Sequence, residues 1–233
     1  MTQFDIEKGF WYYKPGTDFP PKGIDSIEYY QHTERLNLFL STDKQVKDWC
    51  KHLPKLDKVT FLWVTSNVNQ ELFDSICQMQ NLICLHIEKT TVKNIEAINK
   101  LEKMVYLRLS NFTKIESIKS LESLKNIEIL TLENLKKVSD FKVVGNLKKL
   151  RGLAIDGSMF DKQTINDIDF VTKLSDLKYL MFINTKILNI NFDPILNLER
   201  LETFKSSLNY PKAEFEKLKL LPSLRNTNIP DLL

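Results

Sequence analysis

One apolar phrase recurs along this chain and restricts its fold more than any other feature. Leu82-x-x-Leu85-x-Ile87, Met104-x-x-Leu107-x-Leu109, Ile127-x-x-Leu130-x-Leu132, Leu150-x-x-Leu153-x-Ile155 and Leu177-x-x-Leu180-x-Phe182 share one spacing, and their first residues fall 22, 23, 23 and 27 apart. Met79, Leu101, Leu124, Leu147 and Leu174 add an apolar residue three positions before each. The last two apolar residues of a phrase alternate, so on a strand both point to one face. A unit this short cannot bury its own apolar strip, so neighbouring units must stack. Between phrases the apolar residues fall every third position: Ile95, Ile98, Leu101, Met104, then Ile115, Ile118, Leu121, Leu124. That spacing suits 3₁₀ turns or short irregular helices.

The chain resembles the leucine-rich repeat family, in the short version with repeats of 22 to 23 residues. Bacterial internalin-like proteins and eukaryotic phosphatase-regulator types share this version. The resemblance covers residues 33–229 and is specific over 82–204. It implies an α/β fold: a right-handed, curved solenoid of roughly eight repeats. A parallel β-sheet lines the concave face, and 3₁₀ turns and short helices form the convex face. The family places Asn after the strand, where its amide satisfies backbone groups in the turn. Here Thr90, Ser158 and Thr185 hold that position, while Asn111-Phe112 and Asn134-Leu135 read as one extra residue. Irregular turns are expected.

The array loses regularity towards its ends. Leu56-x-x-Val59-x-Phe61 extends it N-terminally, with 26 residues from Leu56 to Leu82. Leu36-x-Leu38 or Leu38-x-Leu40 gives the first strand. Residues 43–53 place Val46, Trp49, Cys50 and Leu53 on one helical stripe, with Ser41, Thr42 and Asp43 as candidate caps. Leu72, Phe73, Ile76 and Met79 form a second such stripe, and the long interval from Leu150 to Leu177 implies extra convex structure. Leu201-x-x-Phe204 opens a further repeat, residues 212–221 read as a helix, and Leu224-x-x-Thr227-x-Ile229 gives a final strand. One continuous domain results: an aromatic-rich cap at 1–32, repeats at 33–204, and a last repeat with a capping helix at 205–233. The first segment carries Phe10-Trp11-Tyr12-Tyr13 and Tyr29-Tyr30. It reads either as a cap on the first repeat or as a partner-binding arm.

Composition narrows the function. Three cysteines, Cys50, Cys77 and Cys84, make an odd number without a CxxC pair, as in a reducing compartment. No apolar run approaches a membrane span, and the first residues lack the apolar core of a signal peptide. A cytoplasmic location is expected. Net charge is +3 with 27% charged residues, so no strong attraction to a polyanion follows. Lys136-Lys137 and Lys148-Lys149-Leu150-Arg151 are basic but interleave with acids, unlike a nucleic-acid groove.

No HExxH, GxSxG, Walker or dinucleotide-binding motif occurs. Cys84, His86 and Glu88 alternate on one strand, about 7 Å apart, which is loose for a nucleophilic or zinc site. No catalysis, metal or cofactor is expected.

The outward strand positions carry the functional information. Lys58, Thr60 and Leu62 are followed by Cys84, His86 and Glu88, then Tyr106, Arg108 and Ser110. Ile129, Thr131 and Glu133 come next, then Gly152, Ala154 and Asp156, then Tyr179, Met181 and Ile183, with Thr203 and Lys205 last. Apolar and aromatic groups ringed by charge have the composition of a protein-binding surface. The alternative is that C-terminal structure folds over Tyr179, Met181 and Ile183. The expected activity is binding of another protein, without nucleic acid or membrane, by a monomer or weakly self-associating chain. A small chain rich in Lys, Asn and Ile, with no effector domain, suits a bacterial stoichiometric inhibitor such as a toxin-neutralising immunity protein. The rival is a self-associating structural scaffold.

Overall fold

The computed structural model describes residues 33–232. The expected cap or arm at 1–32 lies outside the described residues. Eleven strands are described: β1 Arg35–Leu38, β2 Phe61–Val68, β3 Cys84–Thr90, β4 Tyr106–Ser110, β5 Ile129–Glu133, β6 Gly152–Asp156, β7 Gln163–Ile165, β8 Tyr179–Phe182, β9 Thr185–Ile187, β10 Thr203–Ser206 and β11 Asn226–Thr227. Nine form one sheet in the order β1-β2-β3-β4-β5-β6-β8-β10-β11, and β7 pairs with β9 in a small second sheet. Every pairing is parallel.

The register stacks like on like. Leu62, Leu85, Leu107, Leu130, Leu153, Leu180 and Phe204 are Cα partners across successive strands. All are fully buried in one continuous core. The period of two therefore sends the phrase leucines inward, and the next residue of each strand to the concave side.

Helices α1 (Asp43–His52), α2 (Gln70–Ile76) and α3 (Lys212–Lys217) form where helical stripes were read. Thr42 caps α1 in a capping box with Gln45, and the Asn69 side chain caps α2 by accepting from Leu72 N at 2.9 Å. Elsewhere the convex side consists of 3₁₀ turns at Glu96–Lys100, Lys119–Ser123, Lys142–Asn146, Asp169–Lys173 and Asp193–Asn197. At the C-terminal end Phe192 meets Phe204, Tyr210 and Phe215 edge-on, with ring centroids 5.8, 5.5 and 5.6 Å away.

Two departures from the sequence reading have physical reasons. First, the second repeat is Val59-x-x-Leu62-x-Val64, with Leu62 fully buried and Phe61 turned outward. Apolar residues recur every third position from Leu53 through Leu56 and Val59 to Leu62, so the phrase fits one unit too early. Backbone bonds Leu56 N to Leu53 O and Val59 N to Leu56 O, each 3.1 Å, match those leading into later strands. The register Leu36-x-Leu38 holds for β1. Second, Asn111 and Asn134 are not insertions but, like Asn184, left-handed turn residues, with φ of 60°, 56° and 52° in chain order. Asn pays little for that conformation. Phe112 and Leu135 fill the position where the family has Asn, both fully buried. Gln163 serves the turn instead, its Oε1 accepting from Leu135 N at 2.8 Å and its Nε2 donating to Val138 O at 2.7 Å. The long repeat from Leu150 to Leu177, where extra structure was expected, places its added residues in β7 and in a loop that leaves Met159 and Phe160 exposed.

Candidate functional site

Strand pairing aligns the outward side chains into rows. The first row runs Arg35, Phe61, Cys84, Tyr106, Ile129, Gly152, Tyr179, Thr203. The second runs Asn37, Trp63, His86, Arg108, Thr131, Ala154, Met181, Lys205. Ser110, Glu133 and Asp156 begin a third.

The site residues read from the sequence fall mostly on these rows. His86, Tyr106, Arg108, Ile129, Thr131, Glu133, Asp156, Tyr179, Met181 and Lys205 share the concave face. Glu88 lies partly buried on β3, and Ile183 stands just past β8. Lys58 and Leu62 do not belong: Lys58 is exposed ahead of β2, and Leu62 points into the core. Phe61 and Trp63 take their places. The shifted phrase hid them, although outward aromatics beside Val59 and Leu62 were visible in the sequence.

The face is more deeply buried than the sequence suggested. Cys84, Tyr106, Ile129, Ala154, Tyr179 and Met181 form a second apolar cluster, with Phe61 and Ile183 packed against it. Tyr106 is 1% exposed and Ile129 0%. Among the described residues, none after Ile183 joins this cluster, so the described C-terminal elements do not supply its apolar packing.

Polar groups sit beside it. The Arg35 guanidinium lies 4.3 Å from the Phe61 ring centroid. His86 stacks on Trp63. Arg108 pairs with Glu133 at 2.9 Å, and Ser110 Oγ bonds the same carboxylate oxygen at 3.1 Å. Asp156 Oδ1 accepts from Ile183 N at 2.8 Å. Burial, with the neighbouring Arg108 charge, lowers the His86 imidazole to about 3, leaving it neutral. Burial raises the Asp156 carboxyl to about 8; the Ile183 amide opposes the rise, Glu133 adds to it, and Arg108 opposes it. Among the described residues, His86 Nε2 and Thr131 Oγ1 are buried without a hydrogen-bond partner.

Among the described residues no three His, Cys, Asp or Glu side chains gather as a metal site. Cys84 packs in the apolar row while His86 lies against Trp63, so Cys84, His86 and Glu88 do not converge on a shared centre. The Lys136-Lys137 pair is neutralised locally: Lys136 pairs with Asp161 and Lys137 with Glu116, both at 2.7 Å. No described helix is long and apolar enough to cross a membrane.

Sheet, turns and buried phrase leucines together define a repeat solenoid whose main surface is its concave sheet. A family model described as a leucine-rich repeat region matches residues 23–229, and the chain belongs to that family. No curated protein matches the sequence. Among solved structures it is similar to an internalin of Listeria monocytogenes, with a TM-score of 0.67 and 21% identity over 98% of this chain. The chain spans 63% of that internalin's length. Internalin C2 of Listeria monocytogenes gives a TM-score of 0.57 at 18% identity, covering 81% of this chain and 85% of its own. A leucine-rich repeat protein of Leptospira interrogans gives 0.57 at 19%, covering 84% of this chain and 46% of its own. These likenesses show the fold: a leucine-rich repeat solenoid.

Proposed function

We propose that this chain binds another protein through its concave face without catalysing a reaction, as a stoichiometric inhibitor in a bacterial cytoplasm. A toxin-neutralising immunity protein is the concrete form of this reading. The observation that carries it is the second row. Trp63, His86, Arg108 and Thr131 set an aromatic, a cation and buried hydrogen-bonding groups side by side on four neighbouring strands. Aromatic and Arg anchors beside desolvated polar groups are what strong protein interfaces use. The cysteines Cys50, Cys77 and Cys84 form no disulfide, which suits a reducing compartment.

The test begins with recovery of the tagged chain from its native host and mass spectrometry of what stays bound. Calorimetry with the purified partner then compares wild type with Trp63→Ala/Arg108→Ala. Loss of at least tenfold in affinity, with no change in unfolding midpoint large enough to explain it, supports the reading. Unchanged affinity overturns it, as does a partner whose binding is abolished by convex-face changes alone.

A further inference from the structure

Among the described residues, six of the seven large apolar side chains that stand exposed fall between Met159 and Leu220. Scattered singly, such residues need no explanation; gathered at one end of a molecule, they mark a contact. Two are adjacent at a loop tip: Met159 is 87% exposed and Phe160 89%. The loop is tied down from several sides. Ser158 N donates to Asp161 O at 2.9 Å, and Ser158 Oγ accepts from Asp161 N at 3.0 Å. Asn184 Nδ2 donates to the Ser158 and Asp161 carbonyls, and Lys136 pairs with Asp161 at 2.7 Å. Gly157 lies so near the next turn that a Cβ there would stand 2.2 Å from Asn184 O. A knob held this firmly loses little freedom when a binding surface takes it up.

A groove two repeats further along can receive it. Leu208, Tyr210, Phe215, Ile229 and Leu232 line an opening of about 340 Å³, at whose rim Leu208 is 57% exposed. An apolar cavity of ~150 Å³ already holds benzene, so the Phe160 ring fits with Met159 beside it. Charge agrees with shape. On the knob Asp161 is paired with Lys136, which leaves Lys162 exposed and without an ion pair among the described residues. On the groove Lys212 and Glu216 offset each other in charge, which leaves Asp231 likewise exposed. Knob and groove also share one side of the molecule. Asn184 holds the knob, the next residue Thr185 donates its N–H to Ser207 Oγ, and Leu208 follows Ser207.

We propose that this surface binds a second copy of the chain about a two-fold axis, each Met159–Phe160 knob entering the other copy's groove and each Lys162 facing the other copy's Asp231. Two-fold pairing engages both features at once and closes on itself, whereas a head-to-tail contact runs on into a filament. The contact is separate from the concave face and does not rest on the reading of that face as a protein-binding site.

Sedimentation equilibrium of the full chain tests it. The chain should be monomeric when dilute and paired at ~1 mM, where even a millimolar dissociation constant leaves about half the chains in dimers. Phe160→Asp and Leu208→Lys each alter an exposed side chain, and each should weaken association at least tenfold. The first sets a carboxylate against Asp231, the second an ammonium against Lys162. An equimolar mixture of the two variants should pair again. One intact knob then enters one intact groove, and at the other contact the new carboxylate meets the new ammonium. A wild-type chain still monomeric at the highest concentration overturns the proposal; if that chain, but not Phe160→Asp, floats with phosphatidylglycerol vesicles, the knob belongs to a lipid surface instead. Association unaffected by either variant, failure of the mixture to pair, or oligomers that keep growing with concentration would equally overturn it.

Discussion

His86 lies flat against Trp63, their ring centroids 5.2 Å apart and their planes 7° from parallel. The stack joins β2 to β3 on the concave face and holds an imidazole where protonation is costly.

Acid should therefore weaken the fold through His86. Its imidazole sits near 3 when folded, against 6.5 ordinarily, so the unfolded chain binds a proton between those values and the folded chain does not. Stability from this group is complete above pH 6.5 and is lost as pH falls towards 3, by a few kcal/mol in order of magnitude. His86→Phe keeps the stack and removes the titration. Urea midpoints at pH 4.5 and 7 should lie closer together in the variant than in wild type.

Asp156 acts in the opposite direction. Its carboxyl is raised from 3.8 to about 8, so the folded chain keeps a proton that the unfolded chain releases. Stability falls as pH rises from about 4 to 8. His86 opposes that fall below 6.5, which leaves the decline visible between 6.5 and 8 and worth up to about 2 kcal/mol. Asp156→Asn retains an acceptor for Ile183 N and removes the carboxyl. Denaturant unfolding at pH 6.5 and 8.5 should show the decline in wild type and not in the variant.

How far the sequence disclosed the molecule depended on how local each determinant was. Leu85, Leu107, Leu130 and Leu153 announce themselves because any repeat of this geometry needs an apolar side chain at that point. The 3₁₀ turns follow from the third-residue spacing, and α1 from Thr42 and the stripe ending at Leu53. The position of β2 was obscured because Leu53, Leu56, Val59 and Leu62 carry that spacing straight into the strand. Alternation placed Arg108 and Glu133 on one face, but the sequence held no measure of how deeply Tyr106 is buried. The partnership of Gln163 with Leu135, 28 residues away, had no sequence signal at all.

Gln163 should matter more than its polarity suggests. It is 1% exposed and satisfies both Leu135 N and Val138 O in the turn beyond β5. Gln163→Leu keeps the bulk but orphans a buried donor and a buried acceptor, costing about 2–3 kcal/mol. Thermal unfolding should show a lower midpoint with little change in the far-ultraviolet circular dichroism spectrum at 20 °C.

Asn134 separates backbone strain from hydrogen bonding. Its φ is 56°, and its Nδ2 donates to Asn111 Oδ1 at 2.7 Å. Asn134→Gly relieves the conformational constraint and loses only the side-chain bond, costing about 1 kcal/mol. Asn134→Ala loses the bond and also forces a Cβ residue into the left-handed region, for about 2 kcal/mol in all. Chemical denaturation should rank wild type, Gly and Ala in that order; Ala equal to Gly would mean the strain is relieved elsewhere.

Leu62 and Trp63 decide the register of β2. With Leu62 in the core, Leu62→Ala opens a cavity among the phrase leucines and costs about 3 kcal/mol. Trp63→Ala removes a ring from the concave side, where its stack on His86 contributes roughly 1 kcal/mol. Were the strand shifted by one residue, every side chain would exchange faces and the ranking would invert. Urea unfolding of the two variants reads the difference directly. A Trp63→Ala loss larger than that of Leu62→Ala would move Phe61 and Trp63 into the core and out of the binding face.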